Sequence, residues 1–158
     1  MYDIKEVNNK ALRDILENDE DLMKLFHLIK KLNALPHVIK QSRPDSRCLY
    51  EAISKGLSIG SLEQIIEDFF IPLQKPAGTN LPLKLKLNKT VRMLRGIRKD
   101  QSFFLRKTSV GEIYGALWPW QSEPQNATIF LGLNGDTIKE DNYRQLEELI
   151  EQVCCQKE

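Results

Sequence analysis

Two histidines, three cysteines and two tryptophans are where a chemical reading of this chain begins. His27 and His37 lie ten residues apart across Pro36, a spacing that suits no metal motif. With Cys48 they could form a metal or nucleophile site only if the fold assembled it, since no motif surrounds any of them. Cys48, Cys154 and Cys155 make an odd count, with two adjacent and no CxxC, which predicts reduced thiols and a cytoplasmic setting. No Gly-rich phosphate loop, G-x-S-x-G or H-E-x-x-H occurs. Asp136, Glu140 and Asp141 stand at an expected helix start, where the helix dipole alone accounts for them. The reading is non-enzymatic, with no catalytic residue, no metal and no cofactor.

Binding chemistry is better represented. Between Pro82 and Lys107 stand nine cations: Lys84, Lys86, Lys89, Arg92, Arg95, Arg98, Lys99, Arg106 and Lys107. Only Asp100 opposes them, giving a local net charge of +8 in a chain whose total is +1. The remainder is therefore acidic. Such a segment can contact phosphates or an acidic partner. It can equally be a solvated face, an edge protected by lysine, or a partner for the chain's own acidic helices.

Strand parity adds aromatic rings. Side chains alternate between the two faces of a sheet, so each run in the second half divides into two sets. In 112–118 the sets are Ile113, Gly115, Leu117 and Tyr114, Ala116, Trp118. In 127–133 they are Ile129, Leu131, Leu133 and Thr128, Phe130, Gly132. In 102–107 they are Phe103, Leu105 and Ser102, Phe104, Arg106. Alignment of the strands predicts an aromatic face carrying Phe104, Tyr114, Trp118 and Phe130, with Arg106 beside it and a hollow at Gly132. Trp120, beyond the ladder-breaking Pro119, is expected at a loop mouth. Rings flanked by Lys84, Lys86, Arg92, Arg95 and Arg98 would resemble a single-strand nucleic-acid surface, where bases stack and cations hold the backbone. Burial of this face under helices, or under a second copy, is the competing expectation.

The elements that would position these residues read as follows. Ile4, Val7, Ala11, Ile15 and Leu16 mark one helix, and Asp21 to Leu32 a second with a wide apolar face ended by Pro36. Ser42 or Asp45 would cap a third helix running to Lys55, with Gly56 as its left-handed stop. Ser58 or Gly60 would open a fourth, with Leu62, Ile65, Ile66, Phe69 and Phe70 inward. Ala52, Gly56, Leu62 and Ile65 match helix-turn-helix spacing, but Glu63, Glu67 and Asp68 make the second helix acidic, which suits no phosphate-lined groove. Pro72, Pro76 and Pro82 with Gly78 exclude regular structure. PLKLKLN alternates like a strand, and strands follow at 89–97, 102–107, 112–118 and 127–133. The 89–99 run also reads as a basic helix. Thr137 and Glu140 would cap a C-terminal helix that buries Tyr143, Leu146, Leu149, Ile150 and Val153, with Cys154 extending its face.

The predicted class is α+β: a helical N-terminal half, then an antiparallel β-meander with a C-terminal helix packed on one face. The divisions are 1–72, a Pro-rich linker or crossing loop at 73–82, and 83–158. At 158 residues these can form one compact domain. No apolar run is long enough for a membrane span, and the acidic N-terminus does not resemble a signal peptide. Asn88-Lys89-Thr90 and Asn126-Ala127-Thr128 are read as chance glycosylation matches. The expected function is regulatory or adaptor, through a protein partner or self-association. Nucleic-acid binding is the second reading.

Overall fold

The structure, a computed structural model, describes residues 17, 19–41, 48–69, 71–109, 111–135 and 140–154. In chain order the elements are α1 (Glu20–Asn33), β1 (Val38–Lys40), β2 (Tyr50–Lys55), α2 (Ile59–Phe69), β3 (Leu73–Lys75), α3 (Leu83–Lys86), α4 (Lys89–Met93), β4 (Ser102–Thr108), β5 (Gly111–Pro119), β6 (Asn126–Asn134) and α5 (Glu140–Cys154). The strands form one six-stranded sheet in the order β1-β2-β6-β5-β4-β3, with every pairing antiparallel.

This corrects the expected helical region 1–72, because two strands, β1 and β2, fall within it. The helix expected at 4–16 lies outside the described residues, as do Ser42, Asp45 and Thr137 as caps. Residues 50–55 pair with β6 from Tyr50↔Leu131 to Lys55↔Asn126 instead of forming a helix. Tyr50, Ala52 and Ser54 point inward, whereas Glu51, Ile53 and Lys55 are more accessible. Cross-strand pairing thus overrides the helix preference of Glu, Ala and Lys. Gly56 does turn left-handed, at φ 87°, but after a strand. With a strand in place of its first helix, no helix-turn-helix forms.

PLKLKLN is a second correction. Residues 83–86 are a short helix, in which Leu85 is buried while Leu83 and Leu87 are exposed. The sheet edge beside β4 is occupied by β3, so this segment has no strand to join there. Asn88 then caps α4 by accepting from the backbone of Thr90 (2.9 Å) and Val91 (3.1 Å), which makes 89–93 helical. Strand β3 itself sits between Pro72 and Pro76, where no regular structure was expected. It is a short edge strand, where flanking prolines are tolerated. Lys75 locks it: its fully buried ammonium donates to the carbonyls of Lys99 (2.8 Å), Gln101 (2.6 Å) and Pro76 (3.1 Å). Burial lowers the pKa of this lysine, and the nearby Asp100 and Glu63 oppose that shift.

Helix α1 matches its expected span and is capped by Asp19, which accepts from the backbone of Leu22 (3.0 Å). Ser58 opens α2, accepting from the backbone of Ser61 (3.1 Å). Helices α1, α2 and α5 cover one sheet face through a core that includes Leu25, Leu28, Ile66, Leu146, Ile113 and Ile129. Residues 81–97, carrying α3 and α4, cover the other face through Leu85, Val91, Leu94 and Ile97. The sheet is therefore buried on both sides.

Gly132 marks how tightly the second face is filled. A Cβ there would sit 2.6 Å from both Cζ and the hydroxyl oxygen of Tyr114, so the ring occupies the expected hollow. Gly132→Ala should destabilise the protein by about 1–3 kcal/mol, the usual cost of overpacking a filled core. Urea denaturation followed by circular dichroism would measure it.

Candidate functional site

Register decides which rings share a face. Leu105 pairs with Tyr114, which pairs with Gly132, and Phe103 pairs with Ala116, which pairs with Phe130. Tyr114, Trp118 and Phe130 are therefore co-facial, as parity indicated. Phe104 is not. It pairs with Gly115 and packs in the opposite core, at 0 % exposure. Arg106 also lies on that opposite face, where its Nε reaches Asp21 of α1 at 3.2 Å. Both placements correct the expected aromatic face. Each strand was split correctly, but alternation alone does not say which set of β4 matches which set of β5.

The aromatic face is covered. Tyr114 is fully buried and Phe130 nearly so, with the rings of Trp118 and Phe130 4.3 Å apart and tilted by 57°. The basic segment is the cover. Its apolar side chains lie on the rings and its cations point out. Lys84, Lys86, Lys89, Arg92, Arg95, Arg98 and Lys99 are all exposed. Of these, only Arg98 is ion-paired among the described residues, its Nε lying 3.3 Å from Asp100. The cations and rings thus occupy the outside and underside of one layer rather than one surface.

A polar joint pins that layer to the sheet. Glu112, on the aromatic side of β5, is buried without a salt-bridge partner among the described residues. Its carboxylate accepts from Thr90 Oγ1 (2.6 Å) and from Asn88 Nδ2 (3.2 and 3.3 Å). Thr90 Oγ1 in turn accepts from Asn134 Nδ2 of β6 (3.1 Å). Sequence reasoning missed this joint, reading Asn88 and Thr90 only as a glycosylation match. The available signal was an asparagine just ahead of a helix-capable run. Asn126 of the other match is also engaged, donating to Glu123 (2.7 Å).

Trp120 lies just beyond β5, at the loop mouth where it was expected. The ladder ends at Pro119, and one further bond, from the backbone of Trp120 to Asn126 O (2.9 Å), closes the hairpin. The indole Nε1 donates to Thr128 Oγ1 (3.1 Å), opposite Trp118 in the ladder, so the ring continues the aromatic side. It also borders an open cleft of about 620 Å³ with Ile59, Ala77, Pro124 and Asp100. A second open cleft, of about 510 Å³, lies in the basic layer between Leu81, Val91, Ile97 and the cations Lys86, Arg92 and Arg95.

The turn after α4 shapes this second cleft. Gly96 N donates to Val91 O (2.9 Å) and Arg95 N to Arg92 O (3.0 Å), a Schellman ending. Arg95 occupies its left-handed position at φ 64°, where glycine is the usual residue. It is the one residue other than glycine with positive φ among the described residues.

Cys48 and Cys154 are buried, in different clusters. Among the described residues no group of three His, Cys, Asp or Glu side chains is placed to hold a metal ion, and no helix is long and apolar enough to cross a membrane. No protein-family model, curated protein or solved structure matches the chain.

Two substitutions test the layer's construction. Thr90→Val should cost about 1.5–3 kcal/mol, because it removes a hydrogen bond to a buried carboxylate. Arg95→Gly should raise stability by up to about 1 kcal/mol, since relief of left-handed strain exceeds the added freedom of the unfolded chain. Chemical denaturation of each variant beside the wild type would read both.

Proposed function

We propose that the protein is a non-enzymatic regulatory or adaptor protein that acts through protein–protein contacts, with residues 81–99 as its docking surface. One observation carries this reading. Leu83 and Leu87 are 79 % and 81 % exposed, four residues apart, with Lys84, Lys86 and Lys89 between and beside them. Apolar side chains held in water among unpaired cations suit a partner that offers an apolar patch ringed by carboxylates. Charge would steer the encounter and the leucines would supply the desolvated centre.

The same cations would attract a nucleic-acid backbone, but the rings that would stack bases lie beneath the layer. That leaves sequence-independent phosphate contact, for which the leucines have no use. Self-association is a special case of the protein reading, with the acidic remainder of a second copy supplying the carboxylates.

The test compares wild type with the Leu83→Ser/Leu87→Ser double variant. Both positions are exposed, so stability should change by no more than about 0.5 kcal/mol per site. Affinity capture from the native cell, with mass spectrometry, should yield a discrete protein partner that the double variant loses; sedimentation velocity would reveal a self-complex lost the same way. The reading fails if no partner or self-complex is found. It also fails if the chain binds oligonucleotides in fluorescence anisotropy with an affinity unaffected by the leucine substitutions.

A further inference from the structure

The cleft in the basic layer has the makings of a separate ligand site. Lys86 comes from α3, Arg92 from α4, and Arg95 from the turn that follows. All three side chains are exposed, and none forms a hydrogen bond or ion pair with another described residue. Elsewhere cations do find carboxylates: Lys24 with Glu20, Arg106 with Asp21, Arg98 with Asp100, and Arg144 with Glu140. Three solvated cations without a protein partner on one small concavity would suit a ligand that concentrates several negative charges. A single carboxylate would answer only one of them.

Beneath the cations, Val91 and Ile97 are buried and Leu81 half-buried, so the floor is apolar. The volume of about 510 Å³ falls in the range of small-molecule sites. An extended polyanion would use the rim and leave the floor empty. The backbone adds a further clue. An arginine occupies a left-handed position that glycine would fill without strain, and the residue so placed lines the cleft. Strain kept at such a position is a pointer to function.

We propose that this cleft binds an organic di- or triphosphate. Arg92 and Arg95 offer forked guanidinium donors to phosphate oxygens and Lys86 a point charge, while the apolar body of the ligand lies on Leu81, Val91 and Ile97. The site lies within the 81–99 surface and shares Lys86 with the docking reading but not the leucine pair, so the leucine variants tell the two apart.

The experiment titrates the full chain with inorganic pyrophosphate and with adenosine diphosphate at low ionic strength, by calorimetry and by ¹⁵N–¹H spectra. The expected result is saturable binding of one ligand per chain, tighter for the nucleotide, with amide shifts centred on Lys86, Val91, Arg92, Arg95 and Gly96. Arg95→Gln and Arg95→Gly should each weaken binding about tenfold, the scale of a lost charge-assisted contact. Arg95→Gly should do so while melting above the wild type, which separates loss of the site from loss of the fold. Lys84→Gln, outside the cleft lining, should leave affinity within about twofold, as should Leu83→Ser/Leu87→Ser. The proposal is overturned if neither probe saturates, or if Lys84→Gln weakens binding as much as Arg95→Gln, which would mean diffuse counter-ion attraction. It is equally overturned if the nucleotide binds no tighter than pyrophosphate, since the apolar floor would then contribute nothing.

Discussion

A sheet with apolar side chains on both faces must be covered twice, and the rest of this molecule follows from that requirement. One cover is conventional: α1, α2 and α5 place Leu, Ile and Phe side chains on the aliphatic face. The other is a short irregular layer in which two brief helices and a turn spread Leu85, Val91, Leu94 and Ile97 over the aromatic face. Helices this short have little stability of their own. Their conformation rests on contact with the sheet and on the polar joint at Glu112. The layer's chemistry is thus divided by side, with burial on the inner surface and nearly all of its charge on the outer one.

This division explains why a segment of net charge +8 can serve as part of a hydrophobic core. Apolar and cationic residues alternate closely enough that one short helix can turn either kind inward. Leu85 goes in, while Leu83, Leu87 and the lysines stay out. Glu112 contributes by hydrogen bonding rather than by pairing with a cation, so that, among the described residues, only Arg98 of the layer's outer cations is ion-paired, with Asp100.

The limits of legibility follow from the same physics. The amphipathic patterns of α1, α2 and α5 were readable because each long helix buries one continuous stripe. The strands of the β4–β5–β6 meander were readable because turn residues separate them cleanly. Residues 50–55 were misread because their helix-compatible types gain a strand partner only from β6, which lies far along the chain. Residues 83–87 were misread for the converse reason: a strand-like alternation found no edge to join. For the candidate site, the cations were visible by type, and Tyr114, Trp118 and Phe130 by parity. Phe104 and Arg106 were misplaced because inter-strand register is a property of the pair, not of either strand. The Schellman turn at Arg95 was illegible because that position ordinarily announces itself with glycine.

Trp118 and Trp120 lie at the same end of the sheet, one packed at a tilt against Phe130 and the other bonded to Thr128. They are the chain's only tryptophans. Intrinsic tryptophan emission is therefore a local gauge of the β5–β6 end and the underside of the basic layer. It has no chromophore on α1, α2 or α5, so undocking of those helices would be nearly invisible to it unless the sheet end loosened as well. A fluorescence melt and a circular-dichroism melt would then sample different parts of the molecule, and agreement between them would show that the two covers come away together.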